Sequence, residues 1–464
     1  MARFLDPPKP KDLIPSEKID KEYKSMRLKV FLGAFLGYAA YYLVRKNLSL
    51  AAPDMIADGI LDAGKVGLAM SAVSIAYAFS KFVMGSVSDR SDARKFLCVG
   101  LVLSALVMMS VGLIPFGTNT AVNTAIIFVL MLVVGWLSGF GWPPCGRIMA
   151  HWFSQNERSF KMSIWNVSHT IGSFSLGFLA IAGVALAADL GVAQTWRGNF
   201  VFPALVAMVV ALFCWWAIRD TPESCGLPSV GDWRNDHSGV KSKGAAGEKL
   251  PFKVLFVDYV LKNKLLWVVA ISNVAVYMVR YGIGDWAPTY LQAKGIMTAA
   301  ESKVAFSVHN IVGAVGTIAC GWATSKIFKG RCAPMNVICM LLCGVGVLLY
   351  WMVGAGIIQA NPSTQKVLVY VALCMIGFFI YGPVALTGVQ ALNLVPKNAA
   401  GTAAGFVGLF GYLLGDAVCS KILVGGIANG SSWDAAMLSV AIGSLIGVVL
   451  CALLIPSEKR LAQE

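Results

Sequence analysis

The sequence predicts an all-α membrane protein, with twelve transmembrane helices arranged as two pseudo-symmetric six-helix bundles. Three observations predict it. First, 57% of the 464 residues are hydrophobic and only 13% are charged. Soluble domains carry about 25% charged residues, so a chain this apolar needs lipid as its solvent. Second, the apolar residues gather into twelve stretches of about 20 residues, the length that crosses a bilayer as a helix. Third, two motifs recur at nearly one offset. Tyr42-Leu43-Val44-Arg45 returns as Tyr277-Met278-Val279-Arg280, and Gly85-Ser86-Val87-Ser88-Asp89-Arg90 has a weaker echo in Gly321-Trp322-Ala323-Thr324-Ser325-Lys326. Two matches in equivalent spans point to a duplicated six-helix unit.

Residues 1–27 are polar and basic. They contain no apolar run followed by small residues, so no cleavable signal peptide is expected and insertion begins with the first span. The N-terminal bundle covers 28–218, with spans near 28–52, 66–87, 96–115, 124–149, 160–186 and 198–218. Residues 219–264 are the longest interior polar stretch and read as a cytoplasmic linker, softened by Ser242-Lys243-Gly244-Ala245-Ala246-Gly247. The C-terminal bundle covers 265–455, with spans near 265–290, 303–324, 333–354, 367–391, 399–426 and 434–455, and a short tail occupies 456–464.

The net charge of +14 sorts by topology. Five bases lie in outer loops (Lys65, Arg197, Lys294, Lys303, Lys366) and five within spans (Arg45, Lys46, Lys81, Arg280, Lys421), which leaves 28 of the 38 on the cytoplasmic side when both termini are cytoplasmic. This asymmetry satisfies the positive-inside rule, so the charge calls for no nucleic-acid partner. Most of the eleven cysteines sit in apolar stretches without metal-ligand spacing and are expected as packing residues. The chain has no GxxxxGK[ST] phosphate loop, no GxSxG elbow, no HExxH and no histidine cluster. ATP-driven pumping by that loop, covalent catalysis and a metal cofactor are therefore not expected.

A parallel repeat places a substrate site between the halves near the midplane. Arg45 and Arg280 lie at similar depths in spans 1 and 7. A buried charge at mid-bilayer costs about 2.5–3.5 kcal/mol and calls for a partner or a wet cavity. Two guanidiniums across a pseudo-twofold axis suit a doubly charged anion, because each forks two N–H donors onto phosphate oxygens. The alternative is separate pairing with acids, and Asp285, five residues after Arg280, is a candidate. Lys46 is expected to point away, and Lys81 to face the cavity or its mouth. His169, in Trp165-Asn166-Val167-Ser168-His169, could exchange hydrogen bonds with a phosphate. Tyr38, Tyr42, Tyr277, Tyr381 and Tyr412 place hydroxyls within spans. Tyr38 and Tyr42 share a helix face, and a tyrosine stands three residues before each arginine. Asp89, Arg90 and Arg94, between spans 2 and 3, read as a gate. Asp416 and Lys421 read as a structural pair, as a contribution to selectivity, or as support for proton-coupled symport.

The chain resembles the organophosphate:phosphate antiporters of the major facilitator superfamily. The resemblance runs from about 28 to 455. It is densest at Gly37–Asn47 (GYAAYYLVRKN), Ser74–Lys81 (SIAYAFSK), Gly141–Arg147 (GWPPCGR), Tyr281–Trp286 (YGIGDW), Tyr381-Gly382-Pro383 and Gly401–Gly405 (GTAAG). These runs are more similar to the glycerol-3-phosphate branch than to the hexose-phosphate or phosphoglycerate branches. The resemblance implies exchange of a small phosphorylated metabolite for inorganic phosphate by alternating access in a bacterial inner membrane; no cofactor is implied, and a monomer is the default expectation. It also implies Arg45 and Arg280 as the phosphate site, assisted by His169 and lined by Lys81, Asn166 and the tyrosines. Departures surround that core. Ser159, Thr170 and Ser173 replace small or amide residues of the motif around the histidine, and Asn310, Gln390 and Asn393 stand where the branch carries acids or a histidine. A sensor of phosphate esters remains an alternative, because some relatives signal instead of supplying the cell.

Overall fold

In the computed structural model, residues 2–88, 91–235, 255–328, 330–395 and 400–461 are described. They are helical with connecting turns, and no strand occurs among them. Twelve helical spans follow one another: α1 (Ser16–Leu43, continued by Asn47–Ala57), α2 (Ala63–Ser88), α3 (Ala93–Leu113), α4 (Thr120–Ser138, continued by Trp142–Trp152), α5 (Gln155–Asn166, continued by Ser168–Asp189) and α6 (Gly198–Ala217). The second half holds α7 (Lys264–Ala293), α8 (Ala299–Lys326), α9 (Cys332–Gly354), α10 (Pro362–Asn393), α11 (Ala400–Phe410, Gly411–Leu423 and Val424–Gly430) and α12 (Trp433–Ala452).

Among the described residues, eleven helices are long and apolar enough to cross a bilayer. The first span falls outside that set, because bases near its start and tyrosines near its end lower its hydropathy. Exposed apolar side chains mark the lipid-facing helices: Leu103 and Leu106 on α3, Val209 and Leu212 on α6, Leu341 and Val345 on α9, Ile442 and Val449 on α12. Helices α1, α2, α4 and α5 of one half and α7, α8, α10 and α11 of the other supply the lining of the central cavity. The cysteines are unpaired and most are buried, as expected of packing residues.

The halves meet on the side away from the termini. There α2 runs against α11, α5 against α8, and the second segment of α1 against α7. Two glycines permit this approach. A Cβ on Gly67 would sit 2.3 Å from the Lys421 carbonyl oxygen, and one on Gly177 would sit 2.6 Å from the Lys303 carbonyl oxygen. The Ser307 hydroxyl donates across the second contact to the Phe174 carbonyl (2.8 Å).

Three departures from regular helix coincide with polar residues. α1 breaks at residues 44–46, so Arg45 is presented from a turn and not from a continuous helix. α5 tightens at Val167, beside His169. The Gly411–Leu423 stretch of α11 is π-helical. A π-turn brings i and i+5 into register, which aligns Asp416 with Lys421. Discontinuous helices are tolerated at membrane depth where they are buried in protein or line a cavity.

Candidate functional site

The central cavity has a volume of about 200 Å³ and lies between the halves, which meet on the side away from the termini. Its lining includes Tyr38, Tyr42, Lys81, Asn166, His169, Tyr277, Arg280, Tyr381 and Tyr412, all expected from the sequence. Tyr77, Trp142, Thr317, Val384 and Ala385 join them. Tyr77 lies four residues before Lys81 and so shares its helix face, a signal that periodicity contained. Two side chambers share residues with this cavity. One, of about 500 Å³, lies between α2 and α11 and shares Lys81, Trp142 and Tyr412; the other, of about 310 Å³, lies between α5 and α8 and shares Asn166, His169 and Thr317.

Each arginine rests on tyrosine rings. The Arg45 guanidinium carbon is 4.0 Å from the Tyr77 ring centroid and 5.6 Å from that of Tyr42. Arg280 stands 4.6 Å from Tyr381, 4.9 Å from Tyr281 and 5.9 Å from Tyr277. Tyr412 joins the two platforms, packing edge-on to Tyr77 at 5.1 Å and to Tyr277 at 5.0 Å. Among the described residues no carboxylate lies within ion-pair distance of either arginine, and the buried Arg280 Nε has no hydrogen-bond partner. The quadrupole of an aromatic face holds a cation without neutralising it. Both guanidiniums therefore keep their charge without a carboxylate partner among the described residues.

His169 is oriented by the tightening of α5. Its Nδ1 hydrogen-bonds the Asn166 carbonyl. A carbonyl only accepts, so Nδ1 carries the proton and Nε2 is left as an acceptor. Lys81 stands 5.8 Å from the Trp142 ring centroid at the wide end of the cavity.

Asp285 does not pair with Arg280. It lies beyond Tyr281, toward the side away from the termini, where Lys46 donates to its Oδ1 at 2.8 Å and Lys421 approaches its Oδ2 at 3.6 Å. Lys421 also pairs with Asp416 Oδ1 at 2.9 Å and donates to the Ser74 hydroxyl at 2.7 Å, while Ser74 donates to Asp416 Oδ2 at 2.5 Å. The half-buried Lys46 and the four buried groups form a ladder across the halves, since Lys46 and Ser74 belong to the first and Asp285, Asp416 and Lys421 to the second. The space around the ladder, about 20 Å³, has room for about one water. Arg45 lines this space and is not among the residues that line the central cavity, although it rests on its tyrosine platform.

The remaining expected residues lie elsewhere. Asp89 and Arg90 fall outside the described residues. Arg94 packs over the Trp215 ring at 5.0 Å, within the first half. Gln390 is not in the cavity but accepts from Asn336 and donates to Glu458 near the end of α12. Asn310 accepts from the Tyr381 hydroxyl at 3.0 Å.

Two pseudo-repeated helical halves around a basic, tyrosine-lined cavity define a membrane transporter rather than an enzyme. The family model described as Major Facilitator Superfamily matches residues 34–420, and the chain belongs to that superfamily. It is 42% identical over 461 residues to the "Glycerol-3-phosphate transporter" of Bacillus subtilis (strain 168), covering 99% of this chain and 99% of that one. It is 40% identical to the protein of the same name from Haemophilus influenzae, covering 96% of this chain and 95% of that one. The solved structure of a bacterial homolog to the human lysosomal transporter Spinster, inward-facing and occupied, aligns with a TM-score of 0.72 at 14% identity, over 92% of this chain and 96% of that one.

Proposed function

We propose that this protein exchanges a small organophosphate, with glycerol-3-phosphate as the first candidate, for inorganic phosphate by alternating access. The observation that carries the reading is the pair Arg45 and Arg280, which face tyrosines instead of acids. The two relatives named as glycerol-3-phosphate transporters, similar along almost the whole chain, support the substrate class. Placing both termini in the cytoplasm of a bacterium, as the distribution of bases supports, makes this conformation inward-facing.

The substrate phosphate binds between the two forks. His169 Nε2 accepts from the P–OH of hydrogen phosphate, itself a dianion, or of a singly protonated ester, and the Tyr38 and Tyr42 hydroxyls complete the shell. With the site empty, like charges oppose closing of the inner side. A bound dianion removes that repulsion and stabilises the closed arrangement more than the open one, which is what a ligand must do to drive a transition. Opening the outer side then requires Lys46 to leave Asp285 and Ser74 to leave Asp416. Ligand-free crossing stays costly, so flux is exchange. The protein acts as a monomer in this scheme.

The test is uptake of labelled phosphate into proteoliposomes loaded with phosphate, with unlabelled esters as competitors. Rapid exchange that requires internal phosphate, inhibited best by glycerol-3-phosphate, is expected. Phosphate binding without flux overturns the reading in favour of a sensor. Uptake abolished by a proton uncoupler overturns it in favour of symport.

A further inference from the structure

The lipid-facing end of α6 carries a cluster that the transport scheme does not use. α6 closes on Trp215 and Trp216, which are 40% and 58% exposed. Below them Val209 and Leu212 project outward, flanked by Leu28 and Leu32 on α1 and by Leu103 and Leu106 on α3, all exposed. This wall faces acyl chains, and an exposed indole pair at its end marks headgroup depth.

Bases stand over both indoles. Lys29 Nζ lies 5.3 Å from the Trp216 ring centroid, and the Arg94 guanidinium lies 5.0 Å from that of Trp215. Arg219 uses Nη1 to donate to the Trp216 and Ile218 carbonyls, which caps α6. Its Nε and Nη2 have no partner among the described residues, and neither does the Lys29 ammonium apart from the ring. The nearby acids are committed. Asp92 reaches Arg94 only at 4.0 Å, while its Oδ1 accepts from the Arg94 and Lys95 amides. Asp220 is held by Arg147 and by the Ala93 amide. Lys95 donates to the Phe4 carbonyl.

We propose that Lys29, Arg94 and Arg219, ranged around Trp215 and Trp216, bind the phosphate of an anionic phospholipid in the leaflet on the amino-terminal side. Its acyl chains lie along Val209 and Leu212. Charge complementarity selects the headgroup, because bases beside a membrane helix attract anionic lipid phosphates and an arginine fork holds them by geometry. The equivalent end of α12 reads Leu450-Cys451-Ala452-Leu453 and lacks the indoles. Its following acid, Glu458, bonds to the Ala333 amide and to Gln390. The site therefore belongs to the first half.

The test is native mass spectrometry of the full-length protein titrated with phosphatidylglycerol, with phosphatidylcholine and inorganic phosphate as controls. One tightly held phosphatidylglycerol is expected. The triple variant Lys29→Gln, Arg94→Gln, Arg219→Gln should hold it at least about tenfold more weakly. Lys29→Gln alone alters only an exposed side chain, and it should weaken retention measurably if the triple variant fails to fold. Equal retention in the variants, equal binding of phosphatidylcholine, or displacement of the lipid by millimolar inorganic phosphate would each overturn the proposal.

Discussion

Arg45 and Lys46 are neighbours in sequence and border one small space, yet they are held differently. Arg45 lies on the Tyr77 and Tyr42 rings without an acid, while Lys46 is bound to Asp285 from the other half. Tyr281 separates the two layers, with Arg280 at 4.9 Å and Lys46 at 4.8 Å from its ring centroid. On one side of that ring the arginines have no carboxylate partner among the described residues. The outer layer is charge-matched, with Lys46 and Lys421 against Asp285 and Asp416. The lesson is that burial alone does not make a charged residue a ligand; the absence of a counter-charge does. In the proposed exchange cycle this compensated cluster, at the meeting of the two halves, is the closure that must open.

The comparison makes predictions of decreasing size. Arg280→Lys, or Arg45→Lys, keeps the charge but loses the fork. The loss of one or two charge-assisted hydrogen bonds, each worth about 1.5–3 kcal/mol, should lower phosphate exchange by about a hundredfold, measured in proteoliposomes. Near-normal exchange in either variant would erase the distinction between the layers.

Asp285→Asn leaves Lys46 and Lys421 facing one acid. Breaking a buried pair from one side costs about 3–5 kcal/mol, so the outer closure should loosen and the population should shift toward outward opening. Spin-label distances across α5 and α8 on the outer side would report it. Adding Lys46→Met should recover most of the loss, since removal of both partners is nearly neutral. A double variant as open as the single one would show that the ladder does not hold the halves.

Gly177→Val tests the same closure without touching charge. Overpacking against the Lys303 carbonyl should cost about 1–3 kcal/mol and shift the same distances in the same direction. The smallest effect is expected for Lys81→Gln. Lys81 stands at the wide end of the cavity and offers a point charge, so exchange should fall about three- to tenfold, chiefly through weaker apparent affinity. A loss as deep as that of Arg280→Lys would move Lys81 into the inner layer.

Much of the candidate site was legible in the sequence because the membrane punishes unexplained polarity. An arginine in the middle of an apolar run stands out, as do tyrosines and a histidine near it, and the cavity gathers Tyr38, Tyr42, Lys81, Asn166, His169, Tyr277, Arg280, Tyr381 and Tyr412. Tyr77 and Trp142 were harder to see, since an aromatic residue in a span usually only packs. The pairing of Asp285 was not legible. Five residues from Arg280 on one helix, it suggested a local partner, while its actual partners come from 239 positions upstream and from the π-helical stretch of α11. Gln390, named through the resemblance, lies away from the cavity because Glu458 folds back to meet it, a contact that no local pattern contains.

The sequence by itself determined the solvent, the twelve spans, the duplicated halves and the identity of the buried cations, because hydropathy, helix length and charge are properties of local composition. Only the tertiary structure decided which cations are compensated, on which side the halves touch, and where the helices break. Those outcomes depend on contacts between residues hundreds of positions apart, and a single substitution such as a side chain at Gly67 or Gly177 would prevent the approach that creates them.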